Sequence, residues 1–486
     1  MKSGTRSFAS LLLAAALFAT AGCRDRDTSP VEVFAIGDEP RLVNPNREPL
    51  GPGSAFLMQA AGQGLVQFDA AGEIEPALAQ RWIVSDDGLR YTFRLARAEW
   101  PGGGRITAQQ VVARLRAAAS AASRNPVKPI LGAIQDIEAM TDEVLEISLK
   151  SPRPGFLQLL AQPEMAIILN GAGSGPYRIA PAPNGGIELS LPPRDDDDPA
   201  PATIAPPIIL HGAGAAVAVA QFVTGHADLV VGGGVGDLPL ALAARPPGNT
   251  LVFDPVAGLL GLSFGSIDGP LAQAEVRQAL AMAIDRPALV AALRVPALQP
   301  TETILLSGTE GIAQPAAPRW TAQPLPERRA SAKAILARLA PDQMLLRVAL
   351  PDGPGWRVLF AHLRRDWATI GVATVRVGAA EPAELRLIDE VAPAGLASWY
   401  LRHFACNASR VCDPAADEAL AAARIAPDQA SRRQFLATAD RILADAAPFI
   451  PLTAPVRWSL VSPRLTGFRS NRFARHPAGE LITPPR

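Results

Sequence analysis

The side chains able to do chemistry are few for a chain of 486 residues. There are five histidines, His211, His226, His362, His403 and His476, and none forms the His-x3-His pair that places two metal ligands on one helix face. The three cysteines, Cys23, Cys406 and Cys412, fall short of a zinc set, because only His403 lies near the last two. Gly173-Ser174-Gly175 lacks the spacing that holds a nucleophilic serine on a strand-to-helix elbow. Gly232-Gly233-Gly234-Val235-Gly236 follows a strand pattern, but no Lys-Ser/Thr comes after it to hold a phosphate, so it reads as a flexible turn. Asp86/Asp87 and Asp389/Glu390 could share acid–base work, yet sequence does not set the distance between such groups in the fold. Asp195–Asp198 lacks the alternating ligands and the glycine of a calcium loop and reads as a solvated run. No catalytic residue, metal or cofactor is expected, and binding is favoured over catalysis.

Composition narrows the partners. Lys+Arg and Asp+Glu are both 46, so the cation excess that displaces phosphate counterions is missing and no nucleic-acid partner is expected. The hydrophobic fraction is 48%, enough for large cores, and the length allows about three domain-sized units. The single long apolar segment is N-terminal: Lys2 and Arg6, then Leu11–Ala19, then Thr20-Ala21-Gly22 before Cys23. That is the layout of a secretory signal over 1–22. Ala-Gly-Cys resembles the bacterial lipobox, with Thr20 where leucine is usual, so Cys23 is the expected lipidation site and 23–30 a polar tether. Cleavage removes two cations and no acid, leaving the mature chain at net −2. An oxidising compartment permits disulfides, and Cys406 and Cys412 are expected to pair around a loop holding Asn407 and Ser409.

The elements that must position any site follow from periodicity and turn chemistry. Strands are expected at Val31–Ile36, Leu65–Asp69, Val144–Leu149, Gly175–Ile179, Leu345–Leu350, Val372–Val377 and Ala383–Ile388. Trp82–Val84 and Arg90–Leu95 form a hairpin about Ser85-Asp86-Asp87-Gly88. Thr107–Gln110 is a capping box that opens a helix through Val111, Leu115 and Ala119. Further helices are expected at Phe156–Gln162, Leu271–Leu293, Arg357–Ile370 and Gln429–Ala446, the last with Phe435, Ala439, Ile442 and Ala446 buried. Leu251–Phe264 is apolar and extended around Pro255. Strands and helices alternate from about 256 to 450, with strand-rich, Pro-rich chain before, as if an α/β domain were inserted into a first domain with two crossings.

Several runs, in order along the chain, resemble the extracytoplasmic solute-binding proteins of the dipeptide/oligopeptide/nickel class (family 5), which serve ABC transporters. They are Gln63-Gly64-Leu65-Val66-x-Phe68-Asp69, then Pro76-Ala77-Leu78-Ala79, Trp82 and Ser85 to Phe93; Thr107-Ala108-x-x-Val111; Gly175-Pro176-Tyr177; Val276 to Leu280 with Ala283-Ile284-Asp285-Arg286; and Pro448 to Leu452, Gly467-Phe468 and Asn471. The resemblance implies an α/β, two-lobed, periplasmic-binding-protein type II-like fold with an extra subdomain in the first lobe. Lobe I would span 31–255, lobe II 256–451, and 452–486 would return to lobe I. It implies a monomeric receptor in the bacterial envelope that binds a small peptide or peptide-like solute and delivers it to an ABC permease in the cytoplasmic membrane. A metal chelate, opine or sugar, or a sensory or structural role, stays open.

The same resemblance nominates ligand residues. Peptide-binding members carry Gly-Trp at the end of a lobe II strand, an ammonium-binding Asp soon after, and a helix opening with Phe-Leu. Here the Gly-Trp falls on Asp389-Glu390, the Asp on Pro393, and the helix pair on Tyr400-Leu401. Either Asp389 or Glu390 receives a ligand cation, or the ligand is not a peptide. Trp399 offers an aromatic surface or a core residue. Asn44 and Arg47 occupy a loop that often lines ligand in the family, where Arg47 could fork a carboxylate. Gln63 stands where the family often has Glu.

Overall fold

The computed structural model describes residues 29–192 and 205–482. The signal segment, Cys23 and Asp195–Asp198 lie outside the described residues.

Among the described residues the first element is strand β1 (Val31–Ile36). A four-stranded antiparallel unit follows: β2 (Ala79–Val84), β3 (Arg90–Leu95), helix α1 (Ala108–Ala119), β4 (Ile134–Ala139) and β5 (Val144–Leu149), in the order β2-β3-β5-β4. The β2–β3 turn closes as its residues dictate: Gly88 takes φ +67°, and Asp87 Oδ1 accepts from the Leu89 N–H. Thr107 and Gln110 form the full capping box of α1, worth about 1 kcal/mol. The chain then builds β6 (Arg178–Pro181), β7 (Ile187–Ser190), β8 (Ile208–Ala213), α2 (Ala215–Val223), β9 (Leu229–Gly233), α3 (Leu238–Ala244) and β10 (Leu251–Asp254).

It next crosses into a second sheet with β11 (Gly258–Phe264), α4 (Ala274–Met282), α5 (Arg286–Leu293), α6 (Leu325–Leu339), β12 (Leu345–Leu350), α7 (Pro354–Ala368), β13 (Ala373–Gly378) and β14 (Leu385–Val391). Helices α8 (Ala397–Arg402), α9 (Pro414–Ile425) and α10 (Gln429–Ala446) precede β15 (Phe449–Thr453), and the chain returns through β16 (Arg457–Val461). The first sheet runs β6-β7-β8-β1-β9-β16-β10 and the second β13-β12-β14-β11-β15. The backbone therefore passes between them twice, at residues 255–257 and 454–456. The fold is α/β and two-lobed, with the four-stranded unit as a subdomain of the first lobe.

Both crossings are anchored. Asp254, at the end of β10, accepts from the Asn471 N–H at 2.9 Å and faces His476 Nε2 at 3.2 Å. Buried Arg277 donates to the carbonyls of Ala446, Ala447, Leu271 and Ala272, which fixes the end of α10 just before β15. The lobes are shut on each other. Gln162 Nε2 donates to the Pro393 carbonyl at 2.8 Å, and Ser151 Oγ and Arg153 Nη2 both donate to the Arg424 carbonyl. Val235 and Leu238 of the first lobe share an apolar cluster with Trp356 and Leu359 of the second.

Three expectations change. The single helix over Leu271–Leu293 is two helices, because Asp285 leaves helical geometry to accept from the Ala288 N–H as cap of α5, and Pro287 cannot supply a helical N–H. In α10 the buried stripe is Arg432, Leu436, Ala439 and Leu443, while Phe435 is 38% exposed. Leu251–Phe264 is not one extended segment; it is two strands, in different sheets, parted at Pro255.

Candidate functional site

In both sheets the parallel strands point their carboxyl ends at the space between the lobes. β1 is parallel to β8 and β9, and β12 to β13 and β14. In open α/β sheets this is where ligands collect, because the loops there converge on a crevice with unpaired polar groups. A cavity of about 560 Å³ lies there. Its first-lobe wall is Pro52 and the turn after β9, with Gly232, Gly234, Gly236 and Asp237. Its second-lobe wall comes from the ends of β12, β13 and β14: Pro351, Ala379, Arg386 and Leu387 to Glu390, with Trp356 beside them and Arg457 at the return crossing. A second hollow of about 240 Å³ shares Glu390 and is lined by Gln162, Glu164, Pro393, Trp399, Arg402, His403 and Arg475. The larger cavity falls within the size range typical of small-solute sites.

The glycine-rich turn is a place of close approach, not a loose loop. A side chain on Gly236 would meet Trp356 Nε1 at 2.5 Å, so only glycine lets the lobes come together there. The backbone then bridges the lobes directly, with the Gly355 N–H donating to the Gly236 carbonyl at 2.9 Å.

The two adjacent carboxylates of β14 have separate partners. Asp389 Oδ1 accepts from Arg457 Nη1 at 2.9 Å, and Arg457 Nη2 donates to the Asp389 carbonyl at 3.1 Å. Burial pushes the Asp389 carboxyl above its ordinary value, against the pull of Arg457. The pair ties β14 to the strand that carries the chain back to the first lobe. Glu390 Oε2 lies 3.1 Å from His403 Nε2, and His403 Nδ1 lies 2.9 Å from the Trp399 carbonyl. Both partners of that ring are acceptors, so the doubly protonated imidazolium satisfies both. Burial opposes this charge, but the Glu390 hydrogen bond and charge outweigh it, and His403 titrates above its ordinary value. The His403 hydrogen bond holds Glu390 below the usual carboxylate range.

The other nominated residues are placed less centrally. Trp399 is 7% exposed and packs edge-on against Tyr400 and His403, so it is chiefly a core residue with a margin on the smaller hollow. Asn44 lines a different hollow of about 270 Å³ within the first lobe, where its Oδ1 accepts from the Asn46 N–H. Arg47 is exposed and lines none of these spaces. Gln63 donates through Nε2 to the Ser174 carbonyl at 2.6 Å, a tie within the first lobe. Cys406 and Cys412 are bonded, with Cα atoms 5.0 Å apart. Sequence reading passed over Asp237, Trp356, Arg457 and the Glu164–Arg475 pair (3.3 Å), all of which line the crevice. None sits in a motif; they meet only through contacts distant along the chain.

Among the described residues, no cluster of three or more His, Cys, Asp or Glu could hold a metal, and no helix is long and apolar enough to cross a membrane.

The chain is 27% identical over 311 residues to the nickel-binding periplasmic protein of Escherichia coli (strain K12), a match covering 59% of this chain and 56% of that protein. It spans little more than half, or less, of the length of the curated relatives it matches. Among solved structures it is similar to the Escherichia coli murein tripeptide binding protein MppA, with TM-score 0.78 and 20% identity over 93% of this chain and 98% of that one. It is also similar to Haemophilus influenzae OppA in complex with RPPGFSPFR, with TM-score 0.77 and 18% identity over 92% and 97%. At these identities the structural matches speak for the fold. Residues 73–397, two thirds of the chain, match the model of the bacterial extracellular solute-binding proteins, family 5 (middle), and the chain belongs to that family.

Proposed function

We propose that this protein is an extracytoplasmic receptor that encloses a peptide or peptide-like solute between its lobes and presents it to an ABC permease. The observation that carries this reading is the crevice itself, roofed by one sheet and floored by the other, with two short crossings at 255–257 and 454–456 suited to act as hinges. The moving bodies would be 31–255 with 452–486, and 256–451. A solute touching both walls favours the closed form only through its greater affinity for that form. The names of similar proteins, one a murein tripeptide binder and one holding RPPGFSPFR, support a peptide-like cargo.

Asp389, Glu390 and Trp399 are proposed to border the solute, the two acids as charge pairs already matched by Arg457 and His403. Asn44, Arg47 and Gln63 fall outside this crevice and are not assigned to it. The protein binds its solute without transforming it, and the energy for transport belongs to the permease. It acts as a monomer beyond the cytoplasmic membrane, tethered there through a lipidated Cys23.

Mass spectrometry of small molecules released by denaturing the purified protein tests the cargo. Recovery of a peptide or amide-containing solute is expected. Release of a sugar, an opine or a metal chelate in its place would overturn the peptide-like reading.

A further inference from the structure

Five charged side chains line the larger cavity: Asp237, Asp389, Glu390, Arg386 and Arg457. Four of them are already committed. Arg457 is bound to Asp389, and Glu390 to His403. Arg386 directs Nη1 to the Ala379 carbonyl at 2.8 Å and Nη2 to the Glu381 carbonyl at 2.6 Å. Asp237 is the exception. It precedes α3, yet its side chain makes no capping bond, and no hydrogen bond or ion pair engages its carboxylate among the described residues. It is half-buried, and burial alone moves its carboxyl above the ordinary value, which is the signature of a negative charge left without compensation.

The setting is specific. Asp237 comes from the first lobe, directly after Gly236, where the backbone touches the second lobe. The second-lobe residues Trp356, Leu387 and Ile388 also line the cavity and offer apolar surface to the methylene stem of a long cationic group.

We propose that the cavity takes solutes bearing a basic side group, an amine or guanidinium on a methylene stem as distinct from a peptide's terminal ammonium, and that Asp237 is the residue that receives it. This rests on the reading of the crevice as the solute site. It differs from the expectation of a cation at Asp389 or Glu390, because those acids already hold cations of the protein's own. A ligand cation at Asp237 would join a first-lobe carboxylate to a solute lying on second-lobe residues, so it favours closure as well as affinity.

The test is calorimetric titration of wild type, Asp237→Asn and Asp237→Glu. The probes are Lys- and Arg-containing tripeptides, the same tripeptides with norleucine for the basic residue, and the small dication agmatine against n-butanol. The expected result is a preference of about tenfold or more for the cationic member of each pair, lost in Asp237→Asn and kept in Asp237→Glu. Tripeptides that bind without such a preference, or a preference unchanged in Asp237→Asn, would overturn the proposal and leave the peptide receptor standing. Agmatine bound by wild type but not by Asp237→Asn, with no tripeptide bound, would uphold the cation site and sink the peptide reading. Failure of every probe to bind would overturn the cation site.

Discussion

Replacing Gly355 by alanine places a wedge between the lobes. A Cβ there would lie 1.7 Å from the Val235 carbonyl oxygen, where a carbon and an oxygen ordinarily sit about 3.3 Å apart. The obstacle is backbone, so no side-chain rotation relieves it, and the lobes must part by about 1.5 Å at this point. The separation breaks the Gly355 N–H bond to the Gly236 carbonyl, worth about 1 kcal/mol, and disturbs the packing of Trp356 on Gly236, an overpacking cost of about 1–3 kcal/mol. The closed form should lose about 2–4 kcal/mol, which at 1.4 kcal/mol per decade is a loss of thirtyfold to several hundredfold in solute affinity. The lobes themselves should not suffer. Gly355 lies in the first turn of α7, where alanine is the better helix former by about 1 kcal/mol. The assay is titration with the solute recovered from the wild-type protein, run beside solution scattering and a thermal melt of the solute-free protein. Weak binding, little compaction and an unchanged melt are expected. Wild-type affinity and wild-type compaction in Gly355→Ala would refute the reasoning.

Three further perturbations probe two titratable sites and the disulfide, all between residues 390 and 440. Asp440 is 2% exposed, and burial raises its carboxyl from 3.8 to about 6, so its contribution to stability is full below pH 4 and is lost as pH rises through 6. Asp440→Asn keeps an acceptor for the Ala316 N–H and should raise the stability at pH 7–8 by up to about 3 kcal/mol, with no gain near pH 4; an equal shift at both would contradict the titration. For the His403–Glu390 pair the raised histidine contributes fully below the ordinary histidine pKa and fades as pH rises above it, while the lowered acid contributes above the ordinary carboxylate range. His403→Gln should therefore cost most in thermal melts between about pH 5 and 6.5 and least in alkali, and a pH-independent cost would count against the pairing. Reducing the Cys406–Cys412 bond, which spans a separation of 6 residues, should cost about 2 kcal/mol by chain entropy, seen as a lower melting temperature with a thiol reductant. No shift on full reduction would refute that account.

Local chemistry was legible in the sequence where the deciding contacts are themselves local. The Asp86-Asp87-Gly88 turn and the Thr107–Gln110 capping box need partners only a few residues away, and both formed. Helices without a contrasting polar face were not legible. Ala215–Val223 is nearly all apolar and so carries no period of 3.6 to detect. The break at Asp285 was masked by the apolar spacing on either side of it, although Asp-x-Pro is a helix-start signal. In α10, the stripe through Phe435 and the stripe through Leu436 both keep helical spacing, and packing selected the second.

Asp389 and Glu390, nominated from the sequence, line the crevice, but the cations that neutralise them were not nominated. Arg457 lies 68 positions from Asp389, and His403 is 13 from Glu390 with a cysteine pair nearby to distract from it. Asp237 was hidden for another reason. The glycines before it suggested a flexible turn, whereas close neighbours require three of them: Pro52 at Gly232, Trp458 at Gly233 and Trp356 at Gly236.

The most direct test of the account is solution scattering of the mature protein, stripped of solute, before and after a pool of short peptides is added. Closure of two hinged bodies predicts a smaller radius of gyration once peptide is bound, approaching the dimensions of the shut form described above. Peptide binding, verified in the same sample, with no change in dimensions would contradict it.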